Sequence, residues 1–206
     1  KEYLEYLSKK RRDIFMIVTK DKFYTAKYDR VFKEIFLKEE NEDLLKELLK
    51  VALKNVAIYE IKKVLNTEKN SGNIHVRRKY VDVLLETDIG LVAIEINSSV
   101  KDYLHVRNLA YHCDTYAHYT ETGKYYREDI YIIQINLTYG IKNDEEIMRV
   151  YEVQDKTQKK FVENFQVIEY NMDKVMEYWY TKDEKKIKEY LYLILLDLGK
   201  EELEEV

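Results

Sequence analysis

The stretch Tyr80–Asn97, YVDVLLETDIGLVAIEIN, decides how the rest of the chain is read. It consists of two runs rich in Val, Ile and Leu, joined at Thr87-Asp88-Ile89-Gly90, and it predicts two β-strands closed by a tight turn. Two carboxylates interrupt the apolar runs, Asp82 in the first and Glu95 in the second. A two- or four-residue loop places Thr87 opposite Gly90 or Glu86 opposite Leu91. Either register sets Asp82 directly across from Glu95, with Cβ atoms roughly 5 Å apart. A three-residue loop with a bulge at Gly90 makes the two acids diagonal neighbours instead. Asn97 lies two residues beyond Glu95 and projects from the same face. Adjacent like charges repel unless a cation lies between them, and carboxylate oxygens suit Mg2+. A pair on the wet face of a two-sided sheet is the plainer alternative. Against it, the same-face neighbours Leu84 and Ala93 are apolar, so the acids interrupt a surface that is partly buried and their charge needs compensation.

Upstream, residues 28–38 and 42–55 carry apolar side chains at helical spacing: Val31, Phe32, Ile35 and Phe36, then Leu44, Leu45, Leu48, Leu49, Ala52 and Leu53. Lys33 and Glu34 project off the first stripe. A strand is expected over Val56–Leu65 and a polar loop over Asn66–Gly72. Arg77, Arg78 and Lys79 then enter the hairpin beside the acids, where phosphate contact and plain solvation are both open. Beyond the hairpin, Ser98-Ser99 offers an N-cap to a helix over about Val100–Tyr119, with Val106, Leu109, Ala110 and Cys113 as its buried stripe. Arg107 and Tyr111, four apart, share a helix face. His105, His112 and His118 lack the i, i+4 spacing of helical zinc ligands and read as partly exposed structural histidines. Asp129–Leu137 is a buried-type strand, so that strand, helix and strand form a right-handed crossover. Two more strands follow near Met148–Gln154 and Asn164–Tyr170, then helices over Met172–Tyr180 and Asp183–Leu198.

Asp82 followed across the hairpin by Glu95-Ile96-Asn97 resembles the metal-site signature of the PD-(D/E)XK nucleases, an acid followed by acid-any-lysine. The closer resemblance is to the PD-(D/E)XK family transposases, related to the Rpn recombination-promoting nucleases. Asp29-Arg30-Val31-Phe32-Lys33-Glu34-Ile35-Phe36 is similar to that branch's D-x-x-F-K-x-x-F helix. Arg107 and Tyr111 resemble its R-x-x-x-Y helix, and Gly123-Lys124-Tyr125 its G-x-Y. The resemblance implies an α/β, restriction-endonuclease-like αβββαβ core over about 24–172, with an extra C-terminal β-hairpin and a helical extension over 173–206. Together they make one domain over 1–206. It implies a Mg2+- or Mn2+-dependent DNA endonuclease linked to mobile elements or recombination. Asp82, Glu95 and the Ile96 carbonyl would hold the metal, and Asn97 would position the attacking water. Lys33, Arg77, Arg78, Arg107 and Tyr111 would serve the phosphate backbone, and Glu34 would be an extra acid, with an exposed salt bridge as its alternative.

Two positions depart from the pattern. Val81 stands where the namesake proline would be. Asn97 stands where lysine or glutamine is expected, and asparagine is short and uncharged. That departure motivates a second expectation: a nuclease fold without cleavage, a mobile-element or phage accessory that binds DNA or a host protein. Lys33 on the opening helix is the candidate for a relocated cation.

Composition bounds the rest. A net charge of −4 argues against non-specific coating of nucleic acid. The single cysteine, Cys113, excludes an internal disulfide framework and fits a reducing cytoplasm. No apolar run approaches the ~18 residues of a membrane span, and none reads as a secretory signal. Cytoplasmic placement is therefore expected, with DNA as partner and no membrane. Trp179 and the run Leu191–Leu198 read as core or as the surface of a homodimer. Lys9, Lys10, Arg11 and Arg12 read as a solvated helix end.

Overall fold

The computed structural model describes residues 17–19, 22–54, 56–65, 81–121 and 130–203. The chain divides into two compact units, Lys1–Ala57 with Lys174–Val206, and Ile58–Asp173.

In the first unit, β1 (Ile17–Thr19) and β2 (Lys22–Tyr24) form a small antiparallel ribbon. Helix α1 (Asp29–Phe36) follows, then a 3-10 turn at Glu39–Asn41 and α2 (Glu42–Ala52). The apolar stripes expected of both helices are buried. Asn41 Nδ2 donates to the Ile35 carbonyl at 2.6 Å, which satisfies an orphan group at the C-terminal end of α1.

The second unit is a six-stranded mixed sheet with one helix packed on it. Its strands are β3 (Ile61–Leu65), β4 (Val83–Thr87), β5 (Gly90–Asn97), β6 (Tyr131–Thr138), β7 (Met148–Glu152) and β8 (Phe165–Asn171). The helix α3 (Leu104–Glu121) connects β5 to β6. The strand order is β3-β4-β5-β6-β8-β7, antiparallel except for the two central pairs, β5 with β6 and β6 with β8. The last two strands do pair with each other. The hairpin joins the sheet through its second strand, which inserts between β6 and β7 and leaves β7 at the edge.

The central hairpin has Glu86 opposite Leu91 and Val83 opposite Ile94, one of the registers expected of the sequence. Its turn is fixed by Thr87 Oγ1 donating to the Gly90 carbonyl at 2.9 Å. Gly90 has φ +134°, and a Cβ there would sit 2.0 Å from the Tyr131 carbonyl oxygen. Only glycine allows β5 and β6 to approach this closely at that point. On one sheet face Val83, Leu85, Val92, Ile94, Ile133, Ile135, Leu137, Ile168 and Tyr170 are all buried. Each such side chain contributes roughly 1.5–3 kcal/mol by leaving water.

The other face is apolar at one end and polar at the other. Leu84, Leu91, Ala93 and Ile132 form its apolar end, against which Tyr111 and Tyr116 of α3 pack. Along β6 the same face then carries Gln134, Asn136 and Thr138, all buried. The buried side of α3 matches this polarity, with Leu104, Asn108, His112 and Thr115 turned inward. Val106, Leu109 and Cys113, expected as the buried stripe, are exposed. The helix is turned so that its polar side meets the polar strand ends. It also begins at Leu104, where the amide bonds to the Lys101 carbonyl at 2.9 Å, so Ser98 and Ser99 lie several residues ahead of its first turn.

The remaining elements are α4 (Met172–Tyr180), α5 (Glu184–Ile194) and α6 (Lys200–Leu203). Within the first unit α5 packs on α2. Lys54 bonds there to Glu189 at 2.7 Å and to the Tyr190 hydroxyl, and it lies 4.2 Å from the Tyr190 ring centre. No helix among the described residues is long and apolar enough to cross a membrane.

Candidate active site

The ladder between β4 and β5 ends at Val83 and Ile94, and the next pair outward is Asp82 and Glu95. Here side chains replace the main-chain bonds. The Asp82 amide donates to Glu95 Oε1 at 3.1 Å, and the Ile96 amide donates to Asp82 Oδ2 at 2.7 Å. Each carboxylate is therefore pinned by a backbone N–H of the opposite segment. Asp82 is half-buried and Glu95 is buried. A strand residue's N–H and C=O point to the same edge, so the Ile96 carbonyl faces the Asp82 side where the ladder has stopped.

Residues opposite one another in register share a face. Glu95, Asn136 and Glu169 thus form one row across the sheet, with Asp82 just beyond the end of β4 and bonded to Glu95, and Asn97, Thr138 and Asn171 form the next. Asn97 is buried; its Nδ2 donates to Thr138 Oγ1 at 3.1 Å and its Oδ1 accepts from Arg107 Nη2. Arg107 Nη2 also stands 3.7 Å from Glu95 Oε2, and its Nε and Nη2 lie 3.4 and 3.3 Å from Asn108 Oδ1. The guanidinium carbon is 5.6 Å from the Tyr111 ring centre.

The structure thus brings together Asp82, Glu95, Ile96, Asn97, Arg107 and Tyr111. Lys33 and Glu34 belong to the first unit, where Lys33 pairs with Asp29 at 2.8 Å and Glu34 with Arg30 at 3.2 Å. Arg77, Arg78 and Lys79 lie outside the described residues, as do Gly123-Lys124-Tyr125 and the basic cluster Lys9–Arg12.

A third carboxylate, absent from the sequence reading, lies on this face. Glu169 of β8 is buried and accepts from Thr138 Oγ1 at 3.2 Å and from the Tyr151 hydroxyl at 3.4 Å, with His105 Nδ1 at 3.8 Å. Its signal in the sequence is the one that marked Glu95: an acid at an alternating position in an apolar strand. Gln134, Asn136 and Thr138 likewise repeat at period two within a strand read as near-continuously apolar.

His112 is fully buried rather than partly exposed. Its ring lies 4.1 Å from that of Phe165 at 70°, neither nitrogen has a hydrogen-bond partner among the described residues, and burial pushes its pKa down to about 4.

The donors at Asp82, Glu95 and Ile96 are all hard oxygens, the set that suits Mg2+ or Mn2+ and leaves further positions to water. No group of three or more His, Cys, Asp or Glu gathers to hold a metal among the described residues. Two acids and a carbonyl are the donor set of a partly hydrated hard cation and not of a closed zinc cage.

The mixed sheet with its β-α-β crossover and flanking helices defines an α/β protein. The chain belongs to the PD-(D/E)XK nuclease family transposases, whose family model matches residues 26–205. No curated protein and no solved structure matches it.

Proposed function

We infer that the chain is a divalent-metal-dependent DNA endonuclease serving a mobile element or recombination. The observation that carries this reading is the reciprocal clasp in which the Asp82 and Ile96 amides hold the Glu95 and Asp82 carboxylates. Two acids fixed in this way on neighbouring segments are preorganised to share one cation. When bound, Mg2+ or Mn2+ lowers the pKa of a water and offsets charge on a scissile phosphodiester. Asp82, Glu95 and the Ile96 carbonyl would hold it. Asp82, only half-buried, keeps the site open to solvent, while buried Glu95 fixes its inner side. Arg107, about one-third exposed, presents a planar guanidinium suited to bidentate contact with phosphate, and Tyr111 braces it.

A second reading, binding of DNA or a protein without cleavage, is favoured by one observation. Asn97 stands at the expected lysine position, and both ends of its amide are engaged, by Thr138 and Arg107. Plasmid nicking separates the two. Metal-dependent nicking by the native chain that Asp82→Ala abolishes supports the nuclease. Nicking that survives the substitution, or that needs no metal, removes the assignment. An intact plasmid under every divalent metal leaves the binding module.

A further inference from the structure

We propose that Arg107 takes the place of the missing lysine as the phosphate-facing cation of this centre, and that Glu169 and Thr138 are positioning residues that aim it through Asn97. The inference rests on the nuclease reading and assigns that site the cation that its signature lacks.

The hydrogen bonds run in one direction, and that direction is set at the acidic end. Glu169, as a buried carboxylate, can only accept. Thr138 Oγ1 gives its single proton to Glu169 Oε1 at 3.2 Å. Having spent that proton, the hydroxyl can only accept, and it does so from Asn97 Nδ2 at 3.1 Å. The amide orientation of Asn97 is thereby fixed. Its NH2 faces Thr138 and its oxygen faces α3, where Arg107 Nη2 donates to it. The opposite orientation would set an NH2 group against a guanidinium and leave Thr138 facing a carbonyl with no proton to offer. An asparagine that looks like a lost catalytic residue thus serves as the fixed acceptor that seats an arginine.

The seat is tight on one edge and open on the other. Nη2 is held by Asn97 and lies 3.7 Å from Glu95, and Nε shares Asn108 with it. Nη1 donates to no described side chain, and the side chain is 34% exposed. A guanidinium anchored along one edge keeps the rest of its fork for an anion. Arg107 stands beside Glu95, so a phosphate oxygen bound there lies next to the metal-holding acids. Asn97 and Thr138 are partners in register on β5 and β6, Glu169 lies on the next strand, and Tyr151 and His105 flank its second oxygen. The relay therefore rests on the sheet itself and not on loops, which is what positional precision requires.

The test is a double-mutant cycle on Thr138 and Arg107 with two readouts: kcat and KM for plasmid nicking with Mn2+, and Kd for a short DNA duplex in EDTA. Thr138→Val is nearly isosteric and removes only the hydroxyl. It is expected to lower kcat or weaken binding about 5- to 10-fold in the native background, and less than about twofold when Arg107 is already Ala, because coupled residues are not additive. Thr138→Ser is expected to restore the native value. Glu169→Gln gives the same cycle should Thr138→Val fail to fold. Additive losses in both readouts overturn the relay, as does a Thr138→Val protein that nicks and binds like the native one. A non-additive cycle in binding from a protein that nicks nothing upholds the relay while removing the nuclease reading. Loss of all DNA binding from the native protein overturns both.

Discussion

Acid should destabilise this protein earlier than its carboxylates can account for, and His112 is the cause. Its imidazole is buried against Phe165 with no partner for either nitrogen among the described residues, and its pKa falls from 6.5 to about 4. The folded value lies below the unfolded one, so the unfolded chain takes up the proton first. The stability that neutral His112 contributes is complete above pH 6.5 and is lost as pH falls towards the folded value of about 4. Each pH unit within that window costs about 1.4 kcal/mol, so the loss at pH 4.5 relative to pH 7 is roughly 2–3 kcal/mol. Carboxylate losses begin lower. Glu189, held to about 2 chiefly by Lys186, and Asp144, held to about 2 chiefly by Arg149, lose their contributions as pH falls from 4.5 and 3.8 respectively. His112→Phe keeps a ring on Phe165 and removes the titration. At pH 7 it should cost no more than about 1 kcal/mol, since no hydrogen bond to a described residue is lost. At pH 4.5 the variant should be the more stable protein by about 2 kcal/mol. Urea denaturation followed by circular dichroism from pH 7 to 4.5 measures both. Parallel pH profiles for the two proteins would refute the reasoning, because His112 would then titrate alike in the folded and unfolded states.

Two further substitutions probe the hairpin and the site. Gly90→Ala places a Cβ against the Tyr131 carbonyl at a positive φ and should cost at least about 3 kcal/mol; an unchanged denaturation midpoint would mean that β5 and β6 do not approach closely there. Asn97→Lys removes the acceptor for Arg107 and puts an ammonium beside the guanidinium, so stability should fall by about 1–3 kcal/mol with no gain in nicking. A rise in nicking by that variant would show that the native asparagine silences the site.

The hairpin was legible because two constraints agreed. Acids within apolar runs marked the two strands and Thr87 to Gly90 marked the turn, and the observed pairing of Glu86 with Leu91 is one of the registers this left open. The β-α-β crossover followed from a helical segment lying between two apolar strands. The insertion of β8 beside β6 was not legible, because the sequence marks the adjacency of β7 and β8 but not which of them meets the older sheet. The orientation of α3 was misread for a related reason. Val106, Leu109 and Cys113 make an apolar stripe, yet the side that turns inward depends on what the sheet presents, and β6 presents Gln134, Asn136 and Thr138. Once a polar strand is read as apolar, the helix above it is read backwards. Glu169 was missed on the same strand logic, and with it the partner that gives Asn97 its orientation. The ribbon of β1 and β2, with three residues in each strand, is too short to carry a periodic signal.

Asp82→Asn and Glu95→Gln retain an oxygen for the Ile96 and Asp82 amides and remove only the charge. Calorimetric titration of Mn2+ into the native protein and these two variants, paired with plasmid nicking, therefore tests the acid pair without disturbing its frame. The native protein should bind the metal and nick DNA, and each variant should fold normally, lose the binding heat and leave the plasmid intact. Undiminished metal binding or nicking by either neutral variant would contradict a cation held between Asp82 and Glu95.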